Sequence, residues 1–258
     1  MPIGRIKPSG VPSPRHGLAR ALSKLGYCSR SQAEELIRAG RVQLNGSVRR
    51  DPETPVRIAE DRIQVDGRSV EAAKRIYLVM NKPRGLVTTT SDEKGRDTVY
   101  SCLPKGLPWI APVGRLDKAS EGLLLFTNDS EWAARVLAPG THLSKTYHVQ
   151  VAATPNDDIL SALVKGIRME DGDFLRANSA RILRSGERNA WVQIILDEGK
   201  NREIRRMLEH QGIEVLRLVR VAIGPLELGA LKKGETRPLT SEEKRALDQA
   251  MRALRCER

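Results

Sequence analysis

One stretch of the chain sets a carboxylate up for presentation. It runs Pro112-Val113-Gly114-Arg115-Leu116-Asp117-Lys118-Ala119-Ser120-Glu121-Gly122 and passes directly into the apolar run Leu123–Phe126 and then Thr127-Asn128-Asp129. A polar, glycine-flanked loop held by a rigid strand can carry Asp117 to the edge of a cleft. Taken alone, a turn in which Asp117 pairs with Arg115 or caps a neighbour explains the same residues. The second concentration of chemistry is cationic: Arg20, Lys24, Arg30, Arg38 and Arg41, with Ser29, Gln32 and Asn45 adding neutral hydrogen-bonding groups. These residues suit either a solvated helix face or a surface that neutralises phosphates. Cys28, Cys102 and Cys256 form no C-x-x-C pair, and no histidine stands at ligand spacing from them. No G-x-G-x-x-G loop follows an early strand. The expectation is therefore no metal, no small-molecule cofactor and no disulfide framework.

The charge points to a polyanion. Lys and Arg number 44 against 32 Asp and Glu, a net of +12, and the pI is about 10.0. Residues 1–75 hold 15 of the basic and 8 of the acidic residues, a net of +7, so over half the excess sits in under a third of the chain. That asymmetry implies a nucleic-acid-binding module at the N-terminal end. Tyr27 is the only aromatic residue of that region. Recognition of folded RNA through shape and backbone is thus expected, rather than stacking on single-stranded bases. No apolar run approaches the roughly 20 residues that span a bilayer, and the N-terminus lacks the apolar core of a secretory signal. Residues 1–14 read as a disordered basic tail, and reduced thiols without a signal fit the cytoplasm.

The elements that must position these residues follow from spacing. Leu18, Leu22 and Leu25 recur with helical period, and Gly26 ends the run. Ser29-Arg30-Ser31-Gln32 is a capping box for a helix that buries Ala33, Leu36 and Ile37 and stops at Gly40. Arg41–Leu44 then meets the hairpin-turn dipeptide Asn45-Gly46, and Ile63 and Val65 precede a second turn at Asp66-Gly67. A charged hinge, residues 71–75, leads into apolar strands at 76–80 and 123–127, a helix at 130–138 and an alternating strand through Tyr147, Val149 and Val151. A helix at 156–165, a strand at 191–196, a helix at 202–211, strands over 213–223 and a charged helix from Ser241 complete the pattern. Strands and helices do not alternate regularly. The expected fold class is α+β, a small helix-rich domain at 15–73 before a mixed, mainly antiparallel-sheet domain at 74–248, with a charged tail at 249–258.

Residues 18–46, LARALSKLGYCSRSQAEELIRAGRVQLNG, resemble the S4-type RNA-binding domain, and the likeness extends to about Gly67. The Asp117 block resembles the G-R-L-D motif of pseudouridine synthases, in the version of the ribosomal small-subunit and large-subunit enzymes. Asn81-Lys82-Pro83-Arg84-Gly85 resembles that family's first motif, Lys145-Thr146-Tyr147 its second, and Glu198–Met207, EGKNREIRRM, its third.

The resemblance implies isomerisation of uridine to pseudouridine in ribosomal RNA, or in a pre-ribosomal particle, without cofactor or metal. It is nearer to large-subunit than to small-subunit enzymes. It places the catalytic carboxylate on Asp117, an active-site tyrosine on Tyr147 and the aspartate-pairing base on Arg205, with Arg206 one register away. The alternation around Tyr147 by itself explains no more than a buried strand residue. The reaction breaks the N1–C1′ bond, turns the base and joins C5 to C1′, so it resembles half of a retaining glycosidase. A nearby arginine fixes the acid by charge-assisted hydrogen bonds and opposes its uptake of a proton. The target uridine must leave its stack first, and Lys82, Arg84, Arg115, Lys200 and Arg202 are expected to hold the displaced backbone. A monomer is expected. The competing expectation is a non-catalytic RNA-binding factor of ribosome assembly.

Overall fold

In the computed structural model residues 14–90 and 95–253 are described. They divide into two compact units, one comprising the chain up to Arg75 with Pro108–Ile110, the other the remainder. The basic tail expected at 1–14 lies, Pro14 apart, outside the described residues.

In the first unit a two-residue strand β1 (His16–Gly17) leads into helices α1 (Leu18–Lys24) and α2 (Arg30–Arg38). Both halves of the capping box form: the Ser29 hydroxyl accepts from Gln32 N, and the Gln32 side chain accepts from Ser29 N. Strands β2 (Val42–Leu44), β3 (Ser47–Arg49), β5 (Ile63–Val65) and β6 (Arg68–Ser69) make an antiparallel sheet in the order β3-β2-β5-β6, while β4 (Pro55–Val56) pairs with β1. Its tight turns are the two expected dipeptides. Asn45 and Gly46 have φ of 52° and 82°, and Asp66 and Gly67 of 50° and 77°, the left-handed pairs that match the strand twist. Leu18, Leu22, Ala33, Ile37, Val42, Ile63 and Val65 close the core.

The second unit is built on β7 (Tyr77–Lys82), β8 (Ala111–Val113), β9 (Glu121–Thr127), α3 (Ser130–Leu137), β10 (Lys145–Val151) and α4 (Asp157–Lys165). A short hairpin, β11 (Ile167–Arg168) and β12 (Phe174–Leu175), follows, then β13 (Ser179–Ser185), β14 (Ala190–Leu196) and α5 (Glu203–His210). The unit ends with β15 (Val215–Ile223), β16 (Leu226–Glu227), β17 (Thr236–Pro238) and α6 (Ser241–Ala253). The main sheet runs β13-β14-β10-β15-β9-β7-β17, with β16 beside β15 and β8 beside β9. Among its described ladders only β15–β9 is parallel. The α+β class with a mainly antiparallel sheet is therefore observed.

Every residue of β9 is buried. Leu123 and Leu125, with Val79 of β7, pack against Trp132 and Val136 of α3 and Leu247 and Met251 of α6. Of the charged tail expected at 249–258, residues 249–253 belong to α6 instead, and 254–258 lie outside the described residues. Met251, one helical turn beyond Leu247, is 4% exposed, so α6 belongs to the core through its last turn.

Gly122 fixes the parallel seam. It lies opposite Arg220 in the β9–β15 register, has φ of 105°, and a Cβ there would stand 2.3 Å from the Arg220 carbonyl oxygen. Gly122→Ala should destabilise the protein by at least about 2 kcal/mol, from the positive φ and the forced separation of the strands. Gly186→Ala, whose Cβ would meet nothing closer than 3.5 Å, should stay within about 0.5 kcal/mol of wild type. Urea midpoints for the two variants check this, and equal midpoints would refute the close-approach argument.

Candidate active site

The loop that carries Asp117 is tied at every main-chain carbonyl from residue 116 to 120. Leu116 O accepts from Thr88 Oγ1 at 2.7 Å, and Thr88 Oγ1 accepts from Leu116 N at 3.3 Å. Asp117 O accepts from Ser120 N at 2.9 Å and from Lys82 Nζ at 3.1 Å. Lys118 O accepts from Gly85 N at 2.8 Å, Ala119 O from Arg205 Nη2 at 3.2 Å, and Ser120 O from Lys82 Nζ at 2.9 Å. A buried carbonyl left without a donor costs about 1–3 kcal/mol, so these bonds hold the loop in one conformation and leave the Asp117 carboxylate as its half-buried working group.

Lys82 is the correction this makes to the sequence reading. It is fully buried, and its ammonium donates to the carbonyls of Pro83, Asp117 and Ser120. With all three donors spent inside the fold it is a brace for the loop and does not hold an RNA backbone. Burial pulls its pKa from 10.5 down to about 8, while the charges of Asp117 and Glu121 pull the other way.

Asp117, Tyr147 and Arg205, brought from a loop, a strand and a helix, line one cleft of about 630 Å³. Tyr147 is 8% exposed and stands between Ile194 of β14 and Arg220 of β15. Arg205 reaches the cleft from α5. No ion pair between it and Asp117 forms among the described residues. Its guanidinium is taken up by the carbonyls of Ala119 and Val215, and its Nε is buried without a partner. Burial lowers its pKa, as do the charges of Arg202 and Arg84, against a raising contribution from Asp117. Arg206, one register on, turns away to Asp171 at 2.6 Å and Asp173 at 2.8 Å.

Two cations of the cleft were not singled out by the sequence reading. Lys145 donates to Asp197 O at 2.8 Å, and burial followed by the Arg220 charge lowers its pKa. Arg220 is 6% exposed, donates from Nε to Leu123 O at 2.8 Å and leaves Nη2 buried without a partner. Its signal was a charged residue interrupting the apolar strand Val215–Ile223. Glu203, 5% exposed, also lines the cleft; burial raises its pKa, though Lys200 N donates to it at 3.2 Å.

Among the expected backbone-holding residues, Arg115, Lys200 and Arg202 are exposed and line the cleft, and Arg84 is exposed near enough to act on Arg205. Lys200 is partly engaged, donating to Phe174 O at 2.9 Å. In the first unit Arg20 and Arg30 are exposed. Lys24 Nζ lies 3.1 Å from His16 Nε2, Arg38 pairs with Glu34, and Arg41 makes a two-pronged pair with Asp66. Ser29 and Gln32 spend their acceptors on the α2 cap. Asn45 is corrected to a turn residue: its amide bonds Asp61 and Arg62 N, which locks the hairpin.

The Lys82 brace has a pH signature. The folded chain releases its proton near pH 8 and the unfolded chain near 10.5, so between these values the unfolded state holds the extra proton and stability rises with pH. The rise amounts to at most about 3 kcal/mol. Lys82→Met should abolish this component and slow turnover by loosening the loop. Urea unfolding of both proteins from pH 7.5 to 10 measures it, and parallel pH dependences would show that the buried Lys82 ammonium keeps its ordinary pKa.

Residues 76–210 match a family model described as RNA pseudouridylate synthase, and residues 17–63 match the S4 domain. A protein of Rickettsia bellii called an uncharacterized RNA pseudouridine synthase is 39% identical over 225 residues, 87% of this chain and 97% of that one. The ribosomal large subunit pseudouridine synthase B of Bacillus subtilis is 37% identical over 233 residues, 89% and 94% of the two chains. A crystal structure of a pseudouridylate synthase superposes with a TM-score of 0.63 at 28% identity, covering 90% of this chain and 99% of that one. The match over residues 76–210, and relatives this similar over nearly their whole length, make this chain a member of the RNA pseudouridylate synthase family.

Proposed function

We propose that the chain converts one uridine of large-subunit ribosomal RNA to pseudouridine, acting as a cytoplasmic monomer and needing no cofactor. The observation that carries this reading is the convergence of Asp117, Tyr147 and Arg205 on a single cleft. At about 630 Å³ it lies within the range of small-molecule pockets and can admit a flipped nucleotide. The likeness to the Bacillus subtilis large-subunit enzyme supports the choice of subunit.

In this reading the Asp117 carboxylate works at the sugar while the N1–C1′ bond breaks. The base turns, C5 bonds to C1′, the C5 proton leaves and N1 takes one up, so atoms balance without a co-reactant. Tyr147 stacks on the base and lies beside C5 for the proton removal. Arg205 acts on Asp117 in two ways: its charge faces the acid, and its bond to Ala119 O holds the loop. Arg115, Lys200 and Arg202 of the cleft, with Arg84 nearby, meet the phosphates flanking the flipped nucleotide, and Arg20 and Arg30 of the S4 domain hold folded RNA.

Asp117→Asn keeps the shape of the side chain and removes its charge. It should abolish conversion of transcribed ribosomal RNA while binding and folding persist. Turnover within about tenfold of wild type, ~1.4 kcal/mol of barrier, would take Asp117 out of the chemistry. Wild-type protein that binds this RNA but forms no pseudouridine would instead favour a non-catalytic assembly factor.

Arg205→Ala should reduce single-turnover rate strongly. Arg206→Ala, which loses only partners in the 169–173 turn, should reduce it little. A dead Arg206 variant beside an active Arg205 variant would reverse the assignment.

A further inference from the structure

The face of the sheet turned away from the cleft carries a ridge of its own. The period of two along a strand puts His148 and Gln150 opposite Tyr147 on β10, and Arg217 and Val219 opposite Leu218 and Arg220 on β15. On that second face Trp191 of β14 holds two guanidinium groups. Arg184 Cζ of the edge strand β13 lies 5.3 Å from the ring centroid and Arg217 Cζ lies 5.5 Å from it. Arg217 reaches over β10 to do so and also pairs with Glu121 of β9 at 3.1 Å, which Lys233 joins at 2.5 Å. Arg181 Nη2 donates to Gln193 at 3.2 Å. The ridge thus crosses the strands β13, β14, β10, β15 and β9, about 19 Å at the usual strand spacing.

Its charge is positive and partly uncommitted. Glu121 is 2% exposed and shared by two cations. Arg181 and Arg184 are exposed, and neither forms an ion pair among the described residues. Residues 176–188, from the approach to β13 through its turn into β14, hold four arginines and one glutamate. Stacking on Trp191 restrains Arg184 and so reduces what ordering it would cost on binding. The indole face is already covered by guanidinium groups, so Trp191 is not the open aromatic anchor on which protein partners usually dock. Guanidinium forks with free N–H groups suit phosphate oxygens.

We propose that this ridge, centred on Arg184 and Trp191 and extended by Arg181, is a second RNA-binding surface, which grips the phosphate backbone of the substrate beyond the segment that enters the cleft. The proposal rests on the reading of the chain as acting on ribosomal RNA. It assigns the catalytic domain an affinity for long RNA that is separate from the cleft and from the S4 domain.

The test uses the full chain with the double substitution Arg181→Gln and Arg184→Gln, and separately Arg184→Glu. Binding is measured across a salt series for a ribosomal RNA transcript of several hundred nucleotides and for a short stem-loop containing the modified uridine. For the long transcript the double variant should flatten the slope of log affinity against log salt by roughly 1.4–1.8, two contacts at 0.7–0.9 each. Arg184→Glu should weaken binding further. Stem-loop binding and the single-turnover rate at saturating RNA should stay at wild-type values. A wild-type slope on the long transcript would overturn the proposal and leave the ridge to an acidic protein surface. An equal loss on the stem-loop would overturn it too, by assigning the arginines to the cleft. Pseudouridine formation by wild type is scored separately, so failure of the isomerase reading is distinguishable from failure of the ridge.

Discussion

The site depends on one buried ammonium. Lys82 sits in β7, and its three donors satisfy carbonyls at both ends of the 117–120 loop and at Pro83. Such a group is expensive to bury and is tolerated only because each proton has an acceptor. The same bonds remove the freedom of the loop that carries Asp117. The neighbouring residues serve the same end. Gly85 N and Thr88 Oγ1 take the Lys118 and Leu116 carbonyls, and the Asn81 side chain donates to Leu231 O on the far side of the strand. The Asn81–Gly85 motif is therefore largely a fixture for Asp117, with Arg84 left as its exposed cation.

Around that fixture the charge is uneven. Lys145, Arg205 and Arg220 line the cleft with their cationic groups largely buried, Arg115, Arg202 and Lys200 line it as exposed cations, and Lys82 is buried beneath the Asp117 loop. A cleft of this kind draws in a phosphate chain but is inhospitable to the positive charge that develops at a sugar carbon. In the proposed reaction it is Asp117, on the wall of this cleft, that answers the second demand. The buried cations are kept apart by giving each its own carbonyl: Asp197 for Lys145, Leu123 for Arg220 and Ala119 for Arg205.

Much of this was legible in the sequence where the signal was local. Asn45-Gly46 and Asp66-Gly67 have the left-handed φ values their turns demand, and Ser29 and Gln32 form the reciprocal cap. Ordered motifs named Asp117, Tyr147 and Arg205, and the structure brings them to one cleft. What stayed hidden was the partner of each charge. A lysine read as surface is buried because main-chain carbonyls from residues 83, 117 and 120 surround it, and no spacing rule reports such an arrangement. Arg41 and Arg38 looked free until Asp66 and Glu34 came alongside. Arg205 was expected to bond Asp117 and bonds the loop beneath it instead. The last turn of α6 could have been read: Met251 continues the apolar stripe of Leu247, and the charges around it concealed the stripe.

The parallel seam between β9 and β15 is two residues long, Glu121 with Val219 and Gly122 with Arg220. Asp117 precedes one side of it, and Tyr147, with Arg220, belongs to the other. Their spacing is therefore set by a pairing between residues nearly a hundred positions apart, the kind of contact that forms late because a long loop must close first. During synthesis the ribosome has already released Asp117 and Tyr147 while β15 is still unmade. A nascent chain in that condition has Asp117 and Tyr147 without the distance between them. The cleft takes shape only once β15 has emerged, so a shorter nascent chain carries these residues without the site they form.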